Sequence, residues 1–74
     1  MADLLSRITI NTGQCGGRPC IRGMRIRVSD VLDLMALGLT VEQVLHELPD
    51  LVIDDAYAAL RYACESLDHV VVVG

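Results

Sequence analysis

The apolar residues between positions 29 and 67 recur at helical spacing, and Gly38 and Pro49 interrupt this pattern. Residues three and four apart lie on one face of an α-helix, so each uninterrupted stretch predicts one amphipathic helix. Glycine commonly follows a helix C-terminus, and proline cannot continue a helix. The sequence is therefore constrained to three short helices joined by tight connections.

The first two helices are predicted over residues 29–48, on either side of a turn that contains glycine. Ser29 or Asp30 is expected to cap the first helix, because both side chains accept hydrogen bonds from free backbone amides. Thr40 precedes the second helix and Gln43 follows three residues later, which is the spacing of a capping box. Two helices joined by a short turn are typical of a helix-turn-helix unit.

A third helix is predicted over residues 53–67, where Asp54 and Asp55 suit the positive end of the helix dipole. Its apolar residues include several alanines, which allow another helix to approach closely. Residues 69–74 contain four consecutive valines, which are β-branched and favour a strand. We expect this end of the chain to be a strand or tail that pairs with another edge.

Residues 7–28 are predicted to form a β-hairpin or small sheet with a structured loop. Arg7–Ile10 and Arg25–Val28 each alternate polar and apolar residues, as half-buried strands do, and two consecutive glycines lie between them. Together with the helices, this pattern predicts one domain over residues 1–74. Its fold is mainly α, with a three-helix helix-turn-helix core, a short N-terminal β-hairpin and a C-terminal strand.

The chain has more hydrophobic residues than a domain of its length can readily bury, 53% of 74 residues. Small domains bury a modest fraction of their surface, and burying apolar area is favourable by roughly 25 cal/mol per Å². We therefore predict a homodimer. The interface candidates are strand-forming residues near the two ends of the chain: Ile8, Ile10, Val70, Val71, Val72 and Val73.

Charge is distributed unevenly along the chain. Residues 1–28 carry five arginines against Asp3 alone, a net charge of +4. Residues 29–74 carry Arg61 against nine carboxylates, a net charge of −8. The acidic half argues against the whole domain lying on DNA, whereas the arginine-bearing half suits phosphate or carboxylate partners.

Four arginines lie within ten residues of the N-terminal half. Arg18, Arg22 and Arg27 are candidates for nucleic-acid contact, because guanidinium groups bind phosphates. The alternative is that they pair with carboxylates of the predicted helices, and the sequence leaves both interpretations open. Arg25, between Gly23 and the predicted strand, is expected to be the most structural of the four.

The second predicted helix offers further candidates for nucleic-acid contact. Thr40, Gln43 and His46 carry groups that can bind bases or phosphates, as the second helix of a helix-turn-helix unit does. Glu42 and Glu47 share its predicted solvent face and repel a duplex. A scaffold helix in a dimer or a protein complex is the alternative.

The three cysteines, Cys15, Cys20 and Cys64, are an odd number, and the chain begins without a secretory leader. Both features favour the cytoplasm and free thiols, with a bridge between Cys15 and Cys20 as the alternative under oxidation. One loose cysteine pair does not predict a zinc site, and no spacing suggests a nucleophile beside a base. We expect neither a cofactor nor catalysis. We also expect no membrane span, because no apolar run approaches the roughly 20 residues that a span needs.

The segment Gly16–Ile26, GGRPCIRGMRI, resembles the G-G-[KR]-P-x-I-x-G-[TM]-R-I signature of the prokaryotic family called domain of unknown function 433. Leu37–Leu45, Leu48–Leu51 and Ile53–Ala63 are also similar to this family. The resemblance implies a homeodomain-like helix-turn-helix protein. It also implies a VapB-like antitoxin whose partner is a PIN-like ribonuclease toxin.

These observations predict an antitoxin-like regulatory binding protein that neutralises a PIN-like toxin and represses its own promoter DNA. In the toxin complex, the acidic half would cover a basic RNA-binding groove. Two alternatives remain: a stand-alone helix-turn-helix DNA-binding regulator, and a purely structural dimerisation module.

Overall fold

A computed structural model describes residues 3–13 and 15–68 of the chain. The N-terminal part alternates short 3-10 turns and strands in the order Leu4–Arg7, β1 (Ile8–Thr9), Cys15–Gly17 and β2 (Cys20–Ile21). Three helices follow: α1 (Val28–Ala36), α2 (Val41–Glu47) and α3 (Ile53–Asp68). Three helices after a two-stranded N-terminal hairpin confirm the predicted fold class. The C-terminal strand or tail expected at 69–74, with Val70, Val71, Val72 and Val73, lies outside the described residues.

The hairpin pairs β1 with β2 in antiparallel register, with Ile8 opposite Ile21 and Thr9 opposite Cys20. The second strand predicted at Arg25–Val28 is reduced to a single antiparallel bridge between Arg27 and Cys20. Arg22 (φ 46°) and Gly23 (φ 71°) turn the chain directly after β2. The Ile21 amide then donates to the Ile26 carbonyl at 2.9 Å, and the Val28 amide donates to the Pro19 carbonyl at 3.0 Å, so the segment folds back against β2.

Helix α1 begins at Val28, one residue before the predicted start, and its N-cap is Arg27. Asp30 is the third residue of the helix, and its carboxylate accepts a hydrogen bond from the Arg27 backbone amide at 2.9 Å. The predicted caps at Ser29 and Asp30 are therefore wrong. Asp30 does bind a free amide of the helix terminus, but it reaches back from inside the first turn.

Helix α2 begins with the capping box predicted from the sequence. The Gln43 amide donates to Thr40 Oγ1 at 3.2 Å, and the Thr40 amide donates to Gln43 Oε1 at 2.8 Å. Gly38, at φ 101°, makes the turn from α1 in a conformation that favours glycine. Both local predictions for this connection are confirmed.

The core lies where α1, α2 and α3 meet the hairpin. Its buried side chains are aliphatic and small: Ile21, Val28, Val31, Val44, Leu51, Ala56 and Ala59. The alanines belong to α3, which allows the two shorter helices and the hairpin to pack closely against it. Among the described residues, no helix is sufficiently long and apolar to span a membrane.

Candidate functional site

Asp55, in the first turn of α3, is a completely buried carboxylate at the junction of the hairpin and the helices. Arg7 Nη1 donates to it at 2.9 Å, Arg22 Nη2 at 2.8 Å and the Val52 amide at 3.0 Å. Burial alone would raise the pKa of Asp55, but the hydrogen bonds from Arg22, Val52 and Arg7 hold it below its ordinary value. Asp55 is therefore ionised and fully paired.

The Arg22 guanidinium donates hydrogen bonds to Asp55 and to a backbone carbonyl beside it. Its Nε donates to Asp55 Oδ1 at 3.0 Å, and its Nη2 also donates to the Asp50 carbonyl at 3.1 Å. The hydrogen bond to Asp55 raises the pKa of Arg22 further above its ordinary value. For this nucleic-acid candidate, the structure shows the carboxylate pairing that sequence reasoning kept as the alternative.

Arg27 is also paired, at the start of α1. Its Nη2 donates to Asp30 Oδ1 at 3.0 Å. Burial acts to raise the pKa of Asp30, but hydrogen bonds from the Arg27 backbone and side chain leave it lowered. Arg27 thus orders the first turn of α1, although its side chain remains partly open to solvent.

The two other arginines of the cluster face solvent. Arg18 and Arg25 are exposed, and neither forms an ion pair within the described part of the chain. The prediction that Arg25 is the most structural arginine is wrong, because Arg22, and not Arg25, pairs with the buried Asp55 carboxylate. The guanidinium donors of Arg18 and Arg25 are therefore accessible to an external acceptor.

The three candidates on the second helix lie together. Thr40, Gln43 and His46 line one shallow surface depression of about 630 Å³ with Leu39, Glu42 and Glu47. We call Glu42, Gln43, His46 and Glu47 the α2 face; all four side chains are exposed. The cap occupies Thr40 Oγ1 and Gln43 Oε1. None of the arginines lines this depression, so the structure separates the two sets of nucleic-acid candidates.

The described interface candidates differ in exposure. Ile8 is half-buried and packs against the core, whereas Ile10, just beyond β1, is 62% exposed. Sequence alternation placed both on one face, but the two-residue strand ends before Ile10. Of this pair, Ile10 presents the larger apolar surface to a partner.

Sequence reasoning missed an apolar surface on the outer side of α3. Five exposed residues, here called the α3 stripe, follow one another at alternating spacings of four and three: Ile53, Tyr57, Leu60, Cys64 and Leu67. This spacing is that of a coiled-coil seam. The alternating spacing of these five residues is the sequence signal that could have found this surface.

Leu67 also lines an apolar depression of about 530 Å³ between α1 and α3. Val28 and Leu32 line it from α1, Tyr62 and Ala63 line it from α3, and Arg18 also lines it. The α3 stripe is therefore continuous with a second apolar surface.

Within the described residues, no group of three His, Cys, Asp or Glu side chains could hold a metal ion.

Residues 8–63 match a family described as protein of unknown function (DUF433). The chain belongs to this family. The match covers more than half of the DUF433 chain and includes the hairpin, α1, α2, Asp55 and the first part of α3. No curated protein matches it significantly. No solved structure does so either.

Within this DUF433 protein, the matched segment contains the arginine cluster and its buried carboxylate partner. It also contains Ile53, Tyr57 and Leu60 of the α3 stripe, whereas Cys64 and Leu67 lie beyond it. The geometry offers one paired, buried polar cluster and two exposed surfaces, the acidic α2 face and the apolar α3 stripe. Surfaces that are exposed within the described residues, as these two are, are suited to binding other macromolecules.

Proposed function

We propose that this DUF433 protein is an antitoxin-like binding protein of the cytoplasm that restrains a PIN-like ribonuclease. The observation that carries this proposal is the charge of the α2 face. Glu42 and Glu47 are both exposed, and α2 contains neither lysine nor arginine. In this proposal α1 and α2 form a homeodomain-like helix-turn-helix unit whose second helix meets a protein instead of a DNA groove.

The physical basis is charge complementarity. A ribonuclease presents a basic path to its RNA substrate, because the phosphate backbone dominates the affinity. Carboxylates on the α2 face can occupy that path and exclude RNA, and opposite charges also accelerate association. The same carboxylates would repel DNA, which favours the protein partner.

The experiment is co-expression with the product of the neighbouring reading frame. We expect that frame to encode a small ribonuclease whose growth arrest is relieved by the wild-type chain. The double variant Glu42→Gln, Glu47→Gln should relieve it less and associate more slowly at low salt. Asp33→Asn, which removes an exposed carboxylate from α1, is the matched control and should behave as wild type.

Equal relief of growth arrest by the double variant and the wild-type chain would contradict the role of the α2 face. Absence of any association with the neighbouring product would contradict the antitoxin role. A chain that binds neither that product nor DNA would favour the structural dimerisation module.

A second candidate function is repression of its own promoter, as an antitoxin or as a stand-alone DNA-binding regulator. Arg18 and Arg25 favour it, because both are exposed and have no carboxylate partner in the described structure. Upstream DNA should bind with an affinity that falls as salt rises, and Arg18→Ala with Arg25→Ala should reduce the salt slope by about 2. Unchanged binding by this double variant would exclude these two side chains as the phosphate contacts.

A further inference from the structure

The two sides of α3 differ in what covers them. Asp55, Ala56, Ala58 and Ala59 on its inner side are fully buried by the rest of the chain. On its outer side, the α3 stripe is open: Tyr57 is 45% exposed and Leu67 is 69% exposed. Nothing in the described structure covers this outer side. Helix α3 therefore has two apolar sides, one packed against the core and one exposed.

The spacing of the stripe indicates what can cover it. Apolar residues at alternating intervals of four and three present a continuous seam to a second helix, along almost the whole length of α3. The edges of the seam carry different residues. Asp54 and Arg61, each one position after a stripe residue, flank one edge, and Ala63, one position before Cys64, flanks the other.

We propose that the α3 stripe is a dimer seam in which two copies of this chain pair their α3 helices antiparallel. This inference goes beyond the proposed function, because it concerns the chain without any toxin or DNA. It places the interface on α3, a surface different from the Ile10 and C-terminal valine candidates.

Charge complementarity selects the second copy and its direction. When two copies of one helix pair antiparallel, like edges meet, so Arg61 of each copy can face Asp54 of the other. In the register that forms both ion pairs, Leu60 faces Tyr57 of the second copy and Cys64 faces Ile53. Pairing in the parallel direction brings unlike edges together, so Arg61 and Asp54 of the two copies could not face each other.

The register also covers the ends of the stripe. Leu67 reaches the start of α3 in the second copy, where Val52 is 50% exposed. Each exposed apolar residue between 52 and 67 then has an apolar neighbour. A single helix seam lies at the small end of specific interfaces, so the dimer should dissociate on dilution.

The first test is sedimentation velocity of the full chain over a concentration series. Wild type should dimerise, and Leu60→Glu should raise the dissociation constant at least about 10-fold, because it buries a charge in the seam. Leu37→Glu is the matched control: Leu37 is 77% exposed at the end of α1, away from the seam, and should leave the dimer unchanged. If Leu60→Glu loses helicity by circular dichroism, Leu60→Ala takes its place.

The second test addresses direction. Arg61→Asp should weaken the dimer, and adding Asp54→Arg should restore it. In a Cys15→Ser background, Ile53→Cys should allow a short bifunctional thiol cross-linker to join its new thiol to Cys64 of the second copy. Without this substitution, the two Cys64 thiols lie about 16 Å apart along the helix axis and should not be joined.

Three results would overturn the inference: a wild-type monomer at every concentration, a dimer unaffected by Leu60→Glu, or efficient cross-linking through Cys64 alone, which indicates parallel pairing. These measurements use the chain by itself. A failure here is therefore distinct from a failure of the antitoxin proposal, which is read from growth and association with the ribonuclease.

Discussion

Arg22 and Asp55 are 33 residues apart in the sequence and form an ion pair of 2.8 Å in the structure. The pair joins the turn after β2 to the first turn of α3, and Arg7 adds a second guanidinium from the start of the hairpin. A fully buried carboxylate with charge-assisted hydrogen bonds is costly to unpair, because the remaining charges lose their partner.

Asp55→Ala should lower the free energy of unfolding by about 1 to 3 kcal/mol, because it removes the buried acceptor that Arg7, Arg22 and the Val52 amide share. Urea denaturation followed by circular dichroism measures this change. Asp54→Ala is the control, since Asp54 is about half exposed and its contact with Arg7 is 3.6 Å long. It should cost less than about 1 kcal/mol. Equal costs for the two variants would contradict the central role of Asp55.

Acid should destabilise the fold through the same carboxylate. The pKa of Asp55 in the folded chain lies below its ordinary value of 3.8. Its contribution is therefore fully present above the unfolded-state pKa and is lost as pH falls through the folded-state pKa. Unfolding free energy measured between neutral pH and strong acid should fall at the acidic end. Asp55→Asn should flatten that part of the profile, whereas a profile identical to wild type would argue against this linkage.

Gly38→Ala should destabilise the chain by about 1 kcal/mol, because alanine adopts the left-handed region at a conformational cost. Its added methyl group would meet no atom within 4 Å, so the cost should come from the backbone alone. Gly13→Ala is the matched control, since Gly13 does not have a positive φ and its added methyl group meets only ordinary contact. Thermal unfolding should separate the two, and equal melting temperatures would contradict this account of the α1–α2 turn.

Cys20 should be the least reactive thiol of the native chain. Burial, together with the neighbouring Cys15, raises the pKa of its thiol to about 11, so little thiolate is present near neutral pH. Cys64 is exposed on α3 and should be alkylated first in a dilute sample. Mass spectrometry after a short alkylation pulse measures the order, and denaturant should remove the protection of Cys20. Early labelling of Cys20 in the native chain would contradict its burial.

The candidate site was only partly predictable from the sequence. The arginine cluster, the Thr40, Gln43 and His46 set and the acidic helix were all identified from residue type and spacing. The sequence could not distinguish Arg22, which is paired, from Arg25, which is exposed. That difference depends on which side chain the turn at Gly23 brings to α3.

What the sequence determined by itself is the number and placement of the helices. Helical periodicity, the Thr40–Gln43 capping box and the breaks at Gly38 and Pro49 act over a few residues, so their consequences are local. Only the tertiary structure decided the strand partner of β1, the pairing of Arg22 with Asp55 and the exposure of the α3 stripe. Each of these joins or separates residues far apart in the chain, because packing of one core fixes which side chains meet and which face of a helix stays outside.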